Sequence, residues 1–476
     1  MKTTNLAILL GPILLFIAII FSNFNLTFEQ KIVIGCTIWM LTWWISNITP
    51  LFITALLPVI IFPIFGVLNP IEISSNYSSP MIFLFMGGFA IAVAFQKHHL
   101  HKKIALNIVN LIGFNLNKIV LGFIVATALL SAFISNTATT IMMLPMTLAI
   151  INLLQEQLTA KQLQKFSTAI LLAIAFAANV GGIATLIGTP PNIVLANFLQ
   201  KNLNINISFV SWSLIAIPFV VLMLTIIYLI IKNFLIPKSD HCSAITKKFV
   251  QDQLRSLGKL TKVQKITLII FFITASLWIL RPIINTKITA FNLNDASISI
   301  AAMFALFTLP YSMSAKKPKF ILTARDVLQI PWSILLLLGG AFVLANGFDK
   351  VNLFNQIEIF LNNYSHLNYY FIIFFLSLIM LLGTELISNV ALTTLLIPIC
   401  LTVAANFGID PLLIAIPVTF AASCAFAMPI ATPPNMIIYS TGKINPQTMF
   451  KIGVLLNIIA LALIMIVVLP LIEIFK

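Results

Sequence analysis

The chain has 476 residues, 60% hydrophobic and only 8% charged, with a mean hydropathy of +1.08. Soluble domains carry about 25% charged residues, so a water-soluble globular fold is excluded. The formal net charge of +15 raises the question of an acidic partner, which the placement of the charges answers below.

Lys2 is followed by an apolar stretch over about 5–21, with no small-residue cleavage site after it; this is expected to be a retained first span rather than a signal peptide. Further spans are predicted at about 31–47, 48–66, 80–97, 168–200, 208–236, 262–282, 295–311, 331–348, 411–441 and 449–473, eleven in all. No alternating pattern of the kind a β-barrel requires occurs. The four cysteines, Cys36, Cys242, Cys400 and Cys424, are scattered and define neither a metal site nor a disulfide framework. His98, His99 and His101 lie among lysines and read as surface residues rather than a metal cluster.

With the N-terminus placed in the cytoplasm, all but six of the 27 Lys and Arg fall on the cytoplasmic side. The six are Lys31, Lys201, Arg281, Lys287, Lys350 and Lys476. This asymmetry is the positive-inside pattern, so the basic balance records topology and calls for no nucleic-acid partner. Two further apolar stretches, about 119–153 and 368–407, each begin and end on one side. The first is flanked by basic segments, Lys97–Lys118 and Gln155–Lys165. The second is flanked by Asp349, Glu358 and Asp410. They are predicted to be re-entrant hairpins, one opening inward and one outward, as an inverted repeat demands.

The hairpins carry a repeated phrase. Ser135-Asn136-Thr137 lies ten residues before Pro145, and Ser388-Asn389-Val390 ten residues before Pro398. A glycine pair precedes each, Gly87-Gly88 and Gly339-Gly340, and a helix-breaking phrase follows each, Gly188-Thr189-Pro190-Pro191-Asn192 and Ala431-Thr432-Pro433-Pro434-Asn435. Proline removes a backbone donor and displaces its predecessor from the helical region. Both spans should therefore unwind near their middles and restart at Pro190/Pro191 and Pro433/Pro434. One Pro-Pro would be a plain kink, but two matching five-residue words at corresponding positions point to a transporter site between structural repeats.

The paired hairpin tips, the paired breaks and their order resemble the divalent anion/sodium symporter family, whose members carry dicarboxylates, citrate or sulfate. The resemblance covers nearly the whole chain. It implies an all-α polytopic membrane protein with eleven transmembrane helices and two re-entrant hairpins in inverted repeats, working as an elevator-type transporter and assembling as a homodimer. It implies a first sodium site at Ser131, Ser135, Asn136 and Gly188, and a second at Thr384, Asn389, Ala431 and a carbonyl near Ile387. Substrate would face Ser135, Asn136, Thr137, Thr189, Ser388, Asn389, Val390 and Thr432. Scaffold helices would occupy 1–117 and, with a cytoplasmic loop, 237–367; the two repeats of the transport domain would occupy 118–236 and 368–476.

The residue chemistry agrees with that assignment. Na⁺ is a hard cation and prefers hydroxyl, amide and carbonyl oxygens. Ser131/Ser135 and Thr384/Ser388 are each spaced i, i+4 and share a helix face. Each Asn offers an oxygen to a cation and an NH₂ to a carboxylate. The plainer alternative is that these hydroxyls and amides hold helices together. Val390 departs from the Ser-Asn-Thr pattern and removes one hydroxyl from the second tip. Glu385, three residues before Ser388, is the one acidic residue well inside a predicted membrane element, where ionisable groups are costly; it could pair with a cation, carry a proton or be held structurally. No nucleophile–base pair or phosphate loop lies near these words, so an enzyme is not expected.

The expected function is sodium-coupled secondary transport of a small divalent anion, foremost a C4-dicarboxylate such as succinate, malate or fumarate. The alternatives are a sodium-independent dicarboxylate exchanger and a citrate or sulfate carrier on the same fold. Na⁺ would be the co-transported ion and the setting a bacterial inner membrane. The N-terminus would be cytoplasmic and the C-terminus outside.

Overall fold

The structure, a computed structural model, describes residues 10–15, 26–46, 48–237, 243–288, 292–312, 318–353 and 368–474. Most of the span expected at 5–21, together with Cys242, Glu358 and Lys476, lies outside the described residues. The fold is helical. Among the described residues the strands form one antiparallel ribbon, β1 (Pro310–Ser312) against β2 (Lys319–Phe320).

In chain order the helices are α1 (Phe28–Ser46), α2 (Leu51–Thr54), α3 (Leu57–Ile64), α4 (Pro70–Tyr77), α5 (Pro80–Lys97), α6 (Leu100–Ile112), α7 (Leu116–Ser131), α8 (Asn136–Leu153), α9 (Ala160–Gly181), α10 (Pro190–Leu203) and α11 (Phe209–Phe234). They continue as α12 (Ser243–Leu257), α13 (Lys262–Lys287), α14 (Asp295–Thr308), α15 (Trp332–Lys350), α16 (Tyr369–Thr384), α17 (Asn389–Phe407), α18 (Pro411–Ala422), α19 (Pro433–Tyr439), α20 (Pro446–Leu463) and, after a π-helical turn at Ile464–Val468, α21 (Leu469–Ile474). Among the described residues, eight helical segments are long and apolar enough to cross a membrane. Others stop short because the sequence breaks them.

The breaks follow the prolines. The expected span at 168–200 becomes α9, a short 3₁₀ turn at Gly182–Ala184 and α10, which starts at Pro190. The expected span at 411–441 becomes α18 and α19, which starts at Pro433 with Thr432 as its N-cap. The span expected at 48–66 also divides, at Ala55–Leu56, into α2 and α3. Pro58 has no amide to donate to the preceding turn, so a continuous helix loses its bond there.

The described residues fall into two compact units. The first comprises Met1–Phe83, Pro190–Ile207 and Pro331–Ala422; the second comprises Leu84–Thr189, Ser208–Ile330 and Ser423–Lys476. Each unit therefore mixes the two halves of the sequence, and the glycine pairs show one way in which it does so. In the second unit a side chain at Gly87 of α5 would collide with the backbone carbonyl of Ser299 in α14. In the first unit one at Gly340 of α15 would collide with the Ala55 carbonyl between α2 and α3, and one at Gly339 with the Tyr77 ring. A glycine from one half thus lets a helix meet the backbone of an element from the other half. Small residues serve this purpose in membranes, where apolar burial gives helices little drive to associate.

In the second unit α9 is the central helix. Every residue from Phe166 to Gly181 is buried, as expected of a helix apolar on all sides. Gly181 brings it onto the backbone of α7 at Ala128. At the basic end of this unit Lys97 Nζ donates to Asp326 Oδ2 at 2.7 Å and to the Ile321 carbonyl at 3.0 Å. The histidine cluster divides here. His98 Nε2 lies 2.9 Å from the Ile321 carbonyl. His101 is buried, against the surface placement expected from sequence, with Nδ1 3.2 Å from the Phe95 carbonyl. Its burial, opposed in part by that carbonyl, moves its pKa down to about 4. Its neighbours along the chain are charged, but helix α6 turns it inward. No group of three or more His, Cys, Asp or Glu capable of holding a metal occurs among the described residues.

Candidate functional site

Both Ser-Asn tips sit where a helix ends and another begins. In the second unit α7 stops at Ser131, the chain turns through Ala132–Ile134, and Ser135 becomes the N-cap of α8, its Oγ accepting from the Ala138 amide at 3.3 Å. In the first unit α16 stops at Thr384, Glu385 is its C-cap, and Ser388 becomes the N-cap of α17 without a side-chain capping bond. Ser135, Asn136, Thr137, Ile387, Ser388 and Asn389 are all half-buried. Each tip therefore presents the first turn of a helix, with its free amides and positive dipole end, at a partly open position.

The same oxygen cluster stands behind each tip. Ser131 Oγ lies 2.8 Å from Asn136 Oδ1 and 2.7 Å from the carbonyl oxygen of Ala178 in α9. Thr384 Oγ1 lies 2.6 Å from Asn389 Oδ1 and 3.0 Å from the carbonyl oxygen of Ala422, the last residue of α18. A hydroxyl has one proton and satisfies one of its two acceptors. Either the amide turns to offer its NH₂ or a cation takes the remaining oxygens. Ser131 and Thr384 are fully buried, so surplus oxygen at these points is costly unless something positive meets it. Hydroxyl, amide oxygen and main-chain carbonyl form a donor set that suits a hard monovalent or divalent cation.

Of the residues assigned to the first sodium site, the second unit brings Ser131, Asn136 and Gly188 into one neighbourhood. A Cβ at Gly188 would sit 2.4 Å from the Gly182 carbonyl oxygen and 3.0 Å from that of Ala132. A Cβ at Gly182 would lie 2.3 Å from Asn136 Oδ1. The Thr185 hydroxyl donates to the Ala132 carbonyl. Ser135 is held at the tip by its capping role. In the first unit, Thr384 and Asn389 come together; the Ile387 amide donates to the Gly383 carbonyl at 2.9 Å. Ala431 and Thr432 belong to the second unit, where the Ala431 amide donates to the Met428 carbonyl at 3.2 Å.

The second helix break is tied to α9 by a residue that the sequence reading did not single out. Asn179 Nδ2 donates to Thr432 Oγ1 at 3.1 Å and lies 3.4 Å from Asn435 Oδ1. Asn435 in turn donates to the carbonyls of Ala425 and Met428, each at 3.1 Å. Asn179 is adjacent to Ala178, so one turn of α9 holds the first oxygen cluster and fixes the start of α19. A buried amide in an otherwise apolar span was the available signal. The carbonyls of Ala178, Ala422, Ala132 and Gly182 carried none, because a main-chain acceptor has no residue signature.

The other residues around the tips and breaks have distinct settings. Thr140, Thr393 and Thr394 donate to the carbonyls four residues back, at 2.9, 2.6 and 2.8 Å, which satisfies their hydroxyls within their own helices. Val390 is 9% exposed, whereas Thr137 is half-buried. Thr189 is buried at the end of the second unit and Pro190 opens α10 in the first. Glu385 is buried and takes part in an interaction.

No Lys, Arg or His occurs over 121–154, 168–199, 367–407 or 411–441. Oxygen-rich helix tips with no fixed cation, set in a helical membrane fold, define the class of an ion-coupled membrane transporter. The chain matches the family model described as the sodium:sulfate symporter transmembrane region over residues 2–472, and it belongs to that family. It is 34% identical over 467 residues to a protein of Staphylococcus saprophyticus named sodium-dependent dicarboxylate transporter SdcS, covering 97% of this chain and 90% of that one. The SdcS protein of Staphylococcus aureus strain RF122 is likewise 34% identical, over 470 residues, with the same coverage. Among solved structures, the Alcanivorax borkumensis YdaH transporter aligns over 84% of this chain and 87% of its own at a TM-score of 0.55. At 10% identity that likeness concerns the fold alone.

Proposed function

We propose that this protein is a sodium-coupled carrier of divalent organic anions, foremost C4-dicarboxylates, working by an elevator movement. The observation that carries the proposal is the duplicated cluster Ser131–Asn136–Ala178 carbonyl and Thr384–Asn389–Ala422 carbonyl. The names of the SdcS relatives, which cover nearly the whole chain, support the choice of sodium and dicarboxylate.

The mechanism follows from charge. A dianion leaving water for the middle of a membrane needs compensating positive charge, and the segments around the tips carry no cationic side chain. Sodium ions supply it. On this reading a Na⁺ at each cluster takes the Asn oxygen and the main-chain carbonyl, and the Ser131 or Thr384 hydroxyl adds its lone pairs and turns its proton away. Each Asn NH₂, now facing outward from the ion, is free to donate to a carboxylate. The first-turn amides of α8 and α17 add further donors, since helix N-termini favour anions. Cation and anion then neutralise one another, and the loaded site crosses as a unit.

The finer assignments are part of the proposal. Residues 118–236 and 368–476 form the transport domain; 1–117 and 237–367 form the scaffold through which two copies pair. The N-terminus faces the cytoplasm. Uptake of labelled succinate into proteoliposomes with Na⁺ or choline outside tests the coupling: uptake is expected with Na⁺ and not with choline, and equal uptake in both would favour the sodium-independent exchanger.

A further inference from the structure

The second unit contains an open polar cavity of about 470 Å³ away from the tips. It lies between the first turns of α9 and the loop joining α19 to α20. Ala160, Gln164 and Ser167 line it from α9, and Gly442, Lys443 and Asn445 from the loop. None of its lining residues is acidic. Its features converge on a negative ligand. Lys443 is exposed and makes no ion pair among the described residues. Ala160 opens α9 on this space with the amides of its first residues free, whereas α20 opens on Pro446 and its next amides bond to Asn445. Ser167 is only 3% exposed, yet its hydroxyl has no hydrogen-bond partner among the described residues, and it lines the cavity.

The cavity has fixed walls. Thr168 Oγ1 lies 3.0 Å from the Gln164 carbonyl and 3.3 Å from the Lys443 carbonyl, which ties the loop to α9. Gly442 has φ +68°, a left-handed turn that aims the following Lys443. Lys161 and Lys165, exposed on the same helix, add positive field, against which Glu156 on the preceding turn is the nearest acidic residue in sequence. The charge distribution places this end on the cytoplasmic side.

We propose that this cavity is a cytoplasmic waiting site for the transported dicarboxylate, holding it by Lys443, the Ser167 hydroxyl and the first amides of α9 before it diffuses away. The proposal rests on the dicarboxylate reading above, but its ligand contacts involve none of the tip residues. The volume accommodates a four-carbon dianion with its water. An exposed lysine and partial desolvation give weak binding, as an exit site requires.

The test uses the full-length protein with Cys242→Ser, since Cys36, Cys400 and Cys424 are buried. A Gln164→Cys substitution puts a thiol on the cavity wall, and Asn136→Ala removes binding at the first tip. Alkylation of Cys at 164 by N-ethylmaleimide is followed without Na⁺, with succinate, inorganic phosphate or chloride present. Succinate is expected to slow the reaction severalfold relative to chloride. Lys443→Glu is expected to remove that protection and Lys443→Arg to keep it, with both variants monodisperse in detergent. Lys443→Gln, which adds no negative charge, should weaken it. No slowing by succinate, slowing unchanged in Lys443→Glu, or slowing by phosphate but not succinate would overturn the proposal. Failure of sodium-dependent uptake in the unsubstituted protein would instead count against the transport reading and leave this measurement intact.

Discussion

Ser131 Oγ lies 2.8 Å from Asn136 Oδ1, two side chains five residues apart that face each other across a hairpin turn. Thr384 and Asn389 repeat the relationship at 2.6 Å in the other unit. In each case the third oxygen is the carbonyl of an alanine just before a break in a helix. Duplication of the same oxygen cluster supports a ligand at each, because helix adhesion alone is equally well served by a hydroxyl with a single acceptor.

Removing one oxygen should weaken the cation without unfolding the protein. Ser131→Ala and Thr384→Ala are each expected to raise the sodium concentration for half-maximal uptake by roughly ten- to a hundredfold, since a contact to a charged group is worth about 1.5–3 kcal/mol. Thr384→Ser keeps the hydroxyl and should stay near the unsubstituted value. Sodium titrations of succinate uptake check this, and an unchanged sodium dependence in both alanine variants would contradict it.

The glycines near the first tip differ in what they permit. A methyl at Gly182 would meet Asn136 Oδ1 at 2.3 Å, and a methyl at Gly88 would meet only the Ile187 side chain at 3.4 Å. Gly182→Ala should therefore displace the Asn136 amide and abolish uptake, while Gly88→Ala should retain most of it. Transport assays on the two purified variants distinguish these outcomes.

Asn179 should matter although it is assigned to neither ion. Replacing it by Leu leaves Thr432 and Asn435 without its amide, at a cost of about 1–3 kcal/mol for buried polar groups. The expected result is a lower melting temperature together with impaired uptake. Asn179→Gln, which keeps the amide one methylene further out, should be the milder change.

The two tips are expected to respond differently to substitution. Thr137 is half-buried and Val390 buried, so Thr137→Val should reduce succinate uptake more than Val390→Thr does. Competition by unlabelled succinate, malate, fumarate, citrate, sulfate and butyrate ranks the cargo, and butyrate competing as well as succinate would contradict the proposed preference for dianions.

Acid should loosen the basic end of the second unit late. Burial of the Asp326 carboxyl favours its neutral form, but the Lys97 ammonium and the Thr323 hydroxyl and amide outweigh this and hold its pKa below the usual value. A carboxyl with a lowered folded-state pKa contributes stability above its unfolded pKa and loses it as pH falls through the folded one. Melting temperature against pH should fall through and below the usual carboxylate range, and Asp326→Asn should flatten that dependence.

Much of this architecture is legible in the residues. Pro190 and Pro433 mark where α10 and α19 begin, because a missing donor acts locally, and the Ser-Asn words mark the starts of α8 and α17, the first of them capped by the Ser135 side chain. What is not legible depends on backbone brought from elsewhere. The Ala178 and Ala422 carbonyls acquire their place only when α9 and α18 pack behind the tips. The division at Ala55–Leu56 comes from Pro58 within an apolar run that otherwise reads as a span. His101 is surrounded in sequence by charge and buried by the orientation of α6. The glycine pairs stand out as repeats, but their use as close crossings between elements of the two halves becomes visible only in three dimensions.

The most direct test of sodium coupling through the two clusters is succinate uptake into proteoliposomes containing the unsubstituted protein, Asn136→Ala or Asn389→Ala, each with an inward Na⁺ gradient or with choline. Uptake is expected in the unsubstituted protein with Na⁺ alone, and almost none in either variant. Full uptake in choline, or sodium-driven uptake retained in both variants, would contradict it.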